Sequence, residues 1–226
     1  MDTNFKTADI SRLSAWFSGP RMARYAAAPD PAALYVWDER LSKAYLEDVS
    51  HVEVLLRNFV SERLAADCER ATGDRRWFDH PVRYNLRAEF ARSLERAESR
   101  LAREGKEATY DRVVAALSFD VWRFLLVSRL EPTVWRALRS EANGGMPNYP
   151  GCRRAGFESR VVTIYNLRNR CSHQEHLVLD DIGEESRRLD ECSGAIRWIA
   201  SAIDPEAAEW ILANSRVAEI RASRPA

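Results

Sequence analysis

Residues 31–59 read PAALYVWDERLSKAYLEDVSHVEVLLRNF, and their spacing decides the fold. Apolar side chains recur at Leu34, Trp37, Leu41, Tyr45, Val49, Val52, Leu56 and Phe59, always three or four residues apart. That period lines all of them along one stripe of an α-helix. Asp30 stands before Pro31, an N-cap acid followed by proline at the first helical position. The pattern predicts one long amphipathic helix from about residue 31 to 70, ended by the turn Thr72-Gly73-Asp74.

The rest of the chain reads as helical as well. Trp77-Phe78-Asp79-His80-Pro81 is an aromatic connector. A polar helix follows over about 82–103, its Arg and Glu residues spaced for i,i+4 pairs, broken at Gly105. Thr109-Tyr110-Asp111 opens a unit over 112–117, then come a segment over 119–129 and a short helix from Glu131-Pro132 to about 139. Asn143 to Gly151 is the one Gly/Pro loop, either a mobile flap or a plain linker. Further helices are expected over 152–172, over 182–203, and from Pro205 to about 220. No alternating strand pattern and no fixed repeat is present. The expected fold class is all-α, a helical bundle with long amphipathic helices. Its expected organisation is an N-terminal segment over 1–30, the helical domain over 31–203, and a C-terminal helix over 204–226 packed on it.

Composition bounds the function. The chain has 226 residues, 46% hydrophobic and 30% charged, which excludes a disordered, collagen-like or disulfide-scaffolded protein. Lys and Arg number 34 and so do Asp and Glu, so a globally basic nucleic-acid coat is excluded, though a local basic patch is not. All the basic residues but Lys6, Lys43 and Lys106 are Arg, an excess that codon bias explains more simply than function. Cys68, Cys152, Cys171 and Cys192 form no C-x-x-C pair and have no His at zinc-finger spacing. Met1 to Met22 has no apolar core of a signal peptide, and apolar runs such as Val113 to Leu117 are about five residues, far short of a span. The expectation is a reduced, cytoplasmic protein with no membrane association.

No Gly-rich phosphate loop, G-x-S-x-G or H-E-x-x-H occurs. His51 and His80 stand alone and read as ordinary satisfied side chains. The one dense polar cluster beside an apolar helix is LRNRCSHQEH, residues 167–176. Asn169 and His173 are i,i+4 and share a face. Arg168 follows Ile164 by four, at the margin of the stripe that includes Phe157 and Val161, where a guanidinium needs a phosphate or a carboxylate as partner. Equally, Arg and His in a last turn complement the helix dipole, and Ser172 and Asn169 can bond backbone carbonyls. Spacing alone leaves both readings open. Glu53 and Arg57 form an i,i+4 pair beside the apolar stripe of the long helix.

Arg168-Asn169-x-x-x-His173 is similar to the R-N-x-x-x-H motif of HEPN domains, in particular to the Abi-like (abortive infection) proteins of bacteria, usually close to R-N-R-x-x-H-H-E-P. Two further stretches resemble that family in order. Leu34-Tyr35-Val36-Trp37, Leu41-Ser42 and Glu53-Val54-Leu55-Leu56-Arg57-Asn58 resemble its "LY-x-W…LS…E-x-x-L-R-N" helix, and Leu117-Ser118-Phe119 with Trp122 resembles "L-S-F-G-x-W". Together they cover about residues 13–200. Asp120 replaces the usual Gly, Gln174 the usual second His and His176 the usual Pro. Glu175 stands where HEPN proteins paired with a nucleotidyltransferase carry Tyr, so that subtype is not supported.

The resemblance implies metal-independent RNA cleavage at a homodimer interface where two motifs converge, in phage defence or as a toxin. His173 would take the proton from a ribose 2′-OH, Arg168 would stabilise the phosphorane, and Asn169 would orient the phosphate or the imidazole. The partner protomer would supply the acid for the leaving 5′-oxygen. Supporting or RNA-contacting roles are expected for Glu53, Arg57, Arg170, Ser172 and His176: Glu53 holding Arg168 or His173, Arg57 adding charge, Arg170 turned away from His173 toward an RNA backbone. No metal and no other cofactor is expected. RNA is the expected partner, with an antitoxin or regulatory protein restraining the activity. The alternatives are a non-catalytic HEPN module binding RNA, nucleotide or a regulatory protein, and a structural helical dimer with Arg168 and His173 in an internal polar network.

Overall fold

The computed structural model describes residues 9–225 and is all-α; the part of the leader reading that rests on residues 1–8 lies outside the described residues. In chain order the α-helices are α1 (Ile10–Phe17), α2 (Gly19–Met22), α3 (Pro31–Thr72), α4 (Ala88–Arg103), α5 (Tyr110–Ala116), α6 (Phe119–Phe124), α7 (Arg136–Arg139), α8 (Arg154–Ser172), α9 (Ile182–Ile203), α10 (Pro205–Asn214) and α11 (Val217–Ala222). There is no strand among the described residues.

The long helix α3 is the axis of the molecule, about 60 Å by the rise per residue. The Asp30 side chain accepts from the Ala33 amide (2.9 Å) and Pro31 follows it, while Gly73, at φ 79°, donates its amide to the Glu69 carbonyl (2.8 Å). All eight residues of the stripe are buried. Against that stripe pack α8 and α9, which also pack on each other; α10 lies on α9, and α11 crosses α3, the Trp37 indole donating to the Ile220 carbonyl (2.7 Å). Tyr45 ties α3 to α9 through the Leu189 carbonyl and the Ser193 hydroxyl, each at 3.0 Å.

Several boundaries move from their expected places. The polar helix expected from about 82 starts at Ala88, because Pro81 to Leu86 closes a turn (Leu86 amide to Pro81 carbonyl, 2.8 Å) with Asn85 in the left-handed region. Tertiary contact drives this: Tyr84 is buried, its hydroxyl on the Leu64 carbonyl. The segment expected to run to 129 ends as a helix at Phe124, and Glu131–Trp135 is a single π-turn ahead of α7. The helix expected from 152 starts at Arg154, since Cys152 has φ 41°. The last helix is broken at Ser215-Arg216, which turn back to Asp48 (2.7 Å) and Glu47 (3.0 Å) on α3.

The Gly/Pro loop is pinned rather than a flap. Arg63 of α3 donates to the Gly145 carbonyl (3.0 Å), Asn143 donates to the Ala137 carbonyl (2.8 Å), and Met146 is buried. Gly144 has φ 92°, a conformation that favours glycine, and a Cβ there would sit 3.0 Å from the Arg63 guanidinium carbon, which would have to shift. The four cysteines are free thiols, and among the described residues no helix is long and apolar enough to cross a membrane.

Candidate functional site

The polar cluster forms the end of α8. That helix buries Phe157, Val161, Ile164, Leu167 and Cys171, which turns Arg168 and Asn169 to the half-buried margin, as the spacing predicts. The last helical residue is Ser172, and His173 caps the helix, its amide still bonded to the Asn169 carbonyl (2.9 Å). Gln174 then turns left-handed at φ 56° and the Glu175 amide reaches back to the Arg170 carbonyl (2.8 Å). This is a Schellman closure with glutamine where glycine is usual. It leaves His173 and Ser172 exposed at the helix end.

Arg168 makes no ion pair among the described residues; its Nη1 lies 3.4 Å from Asn169 Oδ1. Its electrostatic neighbour is Glu53, half-buried on α3. Burial pushes the Glu53 carboxyl above the usual range, and Arg168 first, then Arg57, pull it back down. The intrahelical Glu53–Arg57 pair does not close: the Arg57 Nε instead donates to Asn58 Oδ1 (3.3 Å). The acid thus faces two cations without a direct bridge to either, which leaves both guanidinium groups open to another anion.

Arg170 is expected to point away from His173, where it can touch an RNA backbone. It folds over the next turn, donating to the His176 carbonyl, with Glu175 3.8 Å from its Nε. The half-buried imidazole of His176 turns inward to a network that sequence reading missed. The Tyr25 hydroxyl donates to Asp38 Oδ2 (2.6 Å) and lies 2.7 Å from His176 Nδ1, while Asp38 Oδ1 accepts the Leu177 amide (3.0 Å). With the single Tyr25 O–H donated to Asp38, the phenol oxygen accepts from Nδ1–H, leaving Nε2 as the lone-pair nitrogen. Burial raises the Asp38 carboxyl and Tyr25 phenol and lowers the His176 imidazole. Two further contacts fix the same segment. Arg21 donates to the Gln174 carbonyl (2.7 Å), and Glu185, buried and paired with Arg224 (2.6 Å), accepts the Leu179 amide (3.0 Å).

A signal for Asp38 was present. It lies four residues after Leu34 and three before Leu41, a carboxylate on the apolar stripe, which demands buried partners. Tyr25 carried no such signal, because it precedes the helix in an irregular stretch.

The arrangement therefore offers an exposed imidazole, an amide one turn behind it, and an arginine without a bonded counter-ion, on a helix end fixed by buried hydrogen bonds. A family model described as Abi-like protein matches residues 24–178, a stretch running from beside Tyr25, through α3, to just beyond His176. No curated protein and no solved structure matches the chain. With more than half of its length in that match, the chain belongs to the Abi-like protein family.

Proposed function

We propose that this protein is a metal-independent endoribonuclease of the HEPN type that acts in phage defence by abortive infection or as a toxin. The observation that carries the reading is the end of α8, where Arg168 lacks an ion pair among the described residues and His173 stands exposed one turn beyond Asn169. The family match supports the setting in defence.

In this reading neutral His173 removes the proton from a ribose 2′-OH as that oxygen attacks the adjacent phosphorus. Arg168 stabilises the pentacoordinate phosphorane, with Glu53 restraining its guanidinium through charge. Asn169 orients the phosphate or the imidazole, and Arg57 adds positive charge alongside. His173 of a second protomer protonates the leaving 5′-oxygen, so the working unit is a homodimer. The products are a 2′,3′-cyclic phosphate and a 5′-hydroxyl. Arg170 and His176 act by holding the backbone beyond the motif, and Ser172 lies at the exposed rim.

A second reading, a non-catalytic module that binds RNA, nucleotide or a regulatory protein at the same place, draws on Gln174, which occupies the left-handed position where the family usually has a second His. A chimeric substrate separates the two. A strand cut by the protein resists cleavage once a single 2′-deoxy nucleotide replaces the residue 5′ to the cut, if the 2′-OH is the nucleophile. Unchanged cutting of the chimera contradicts it, and binding without cutting of either strand supports the module.

A further inference from the structure

Against the α8 residue Tyr165, one turn before Arg168, lies a cation with no acceptor among the described residues. Arg123, at the end of α6, is half-buried between two rings, its Cζ 4.2 Å from the Phe124 centroid and 4.7 Å from that of Tyr165. Its Nε is buried without a hydrogen-bond partner, and the guanidinium makes no ion pair or hydrogen bond among the described residues. Ring faces supply a quadrupole but no counter-charge, so they orient the guanidinium without neutralising it. Tyr165 is itself held edge-on by buried Phe119 (5.8 Å). It belongs to α8, three residues before Arg168 and four before Asn169, so all three lie along one face of that helix. The bracketed cation therefore continues the line of the motif, away from His173.

Phe124 is 49% exposed at the end of α6. Besides stacking on Arg123, it lines a cavity of about 290 Å³ with Phe90, Val121, Leu125 and Leu130, and with Arg87 among its polar residues. An apolar, aromatic-walled recess beside an unneutralised guanidinium has the two parts a nucleotide needs, a stacking surface for the base and a donor for the phosphate. We infer that Arg123, Phe124 and Tyr165 form a nucleotide subsite for single-stranded RNA: Arg123 takes the phosphate of a nucleotide flanking the cleaved bond, and its base enters the recess against Phe124. Asp120, one turn before Arg123 and also lining the recess, is placed to accept from a base amino group. This inference rests on the reading of the α8 end as an RNA site, and it adds the requirement that the flanking nucleotide be unpaired.

The test measures anisotropy of a fluorescent 2′-O-methyl oligoribonucleotide, which the proposed chemistry cannot cut, against salt concentration. Wild type is compared with Arg123→Gln, Arg123→Lys, Phe124→Ala and Arg168→Gln, each checked for an unchanged melting curve. The subsite predicts that Arg123→Gln weakens binding about tenfold and lowers the salt slope by about 0.7, the value for one phosphate on a single strand. Arg123→Lys restores the slope, and Phe124→Ala weakens binding about tenfold for an intact strand but leaves a strand abasic at the flanking position unaffected. If Arg123→Gln and Phe124→Ala bind within twofold of wild type while Arg168→Gln does not, the subsite is wrong and the RNA site stands. If wild type binds no oligoribonucleotide, or binds polyglutamate with the same dependence on Arg123, the RNA site and the subsite fall together.

Discussion

The Tyr25 hydroxyl and the Nδ1 nitrogen of His176 lie 2.7 Å apart, joining the turn ahead of α3 to the segment just beyond the Arg168-Asn169-x-x-x-His173 motif. Asp38 completes the link by accepting from both the Tyr25 hydroxyl and the Leu177 amide. The backbone that leaves His173 is thereby fixed from inside the core, while the His173 side chain stays exposed.

Removing the phenol tests that link. Tyr25→Phe keeps the ring packing but leaves a buried carboxyl with one donor fewer and His176 without its partner. Losing one partner of a buried polar group costs about 1–3 kcal/mol. Denaturant unfolding is expected to show a loss in that range with an unchanged slope; a loss below about 0.5 kcal/mol contradicts the network.

Acidification reads the same network through His176. Burial, with Arg21, Arg24 and Arg170, lowers its folded pKa, against the pull of Asp38. A depressed folded value means that the imidazole contributes stability above its unfolded pKa of about 6.5, which is lost as pH falls through the folded value. Asp38 runs the opposite way: its raised pKa favours the fold at low pH, and that contribution is lost as pH rises through its folded value. Lowering pH from about 7.5 to 5.5 should therefore cost wild type more melting temperature than His176→Asn. Equal losses would show that His176 titrates as a free imidazole.

Gln174 holds a left-handed conformation that costs a side-chain-bearing residue about 1–2 kcal/mol. Gln174→Gly should raise stability by about 1 kcal/mol, with the Arg21 contact retained because it uses the Gln174 carbonyl. A lowered melting temperature would mean that the glutamine side chain stabilises the loop by more than its backbone strain.

Arg168 separates charge from geometry. Arg168→Lys keeps the positive charge but loses the forked donor pair. Cleavage should fall about a hundredfold in kcat, the loss typical of one transition-state donor, with KM little changed. A rise in KM at constant kcat would instead mean that the forked donors act in ground-state binding alone.

Segments whose conformation depends on local pattern alone are readable in the sequence, and those set by distant contacts are not. The stripe from Leu34 to Phe59 needs only helical period and a hydrophobic interior, so it read correctly to within two residues of its end. Ile182 to Ile203 matched its expected bounds, with Pro205 just beyond. Val82 to Arg87 failed, because its charged residues fit a helix while buried Tyr84 dictates a turn. The motif residues were visible as a polar cluster on an amphipathic helix. What surrounds them was not: the contacts of Tyr25 with His176 and of Arg123 with Tyr165 span long sequence separations that no local pattern encodes.

Incubating wild type and His173→Ala with single-stranded RNA in excess EDTA, and mapping the product ends, decides whether the end of α8 is a metal-independent nuclease. Wild type should cleave and leave 2′,3′-cyclic phosphate and 5′-hydroxyl ends, and His173→Ala should not cleave at an unchanged melting temperature. Cleavage that survives His173→Ala, or that appears only on adding a divalent cation, would contradict that assignment.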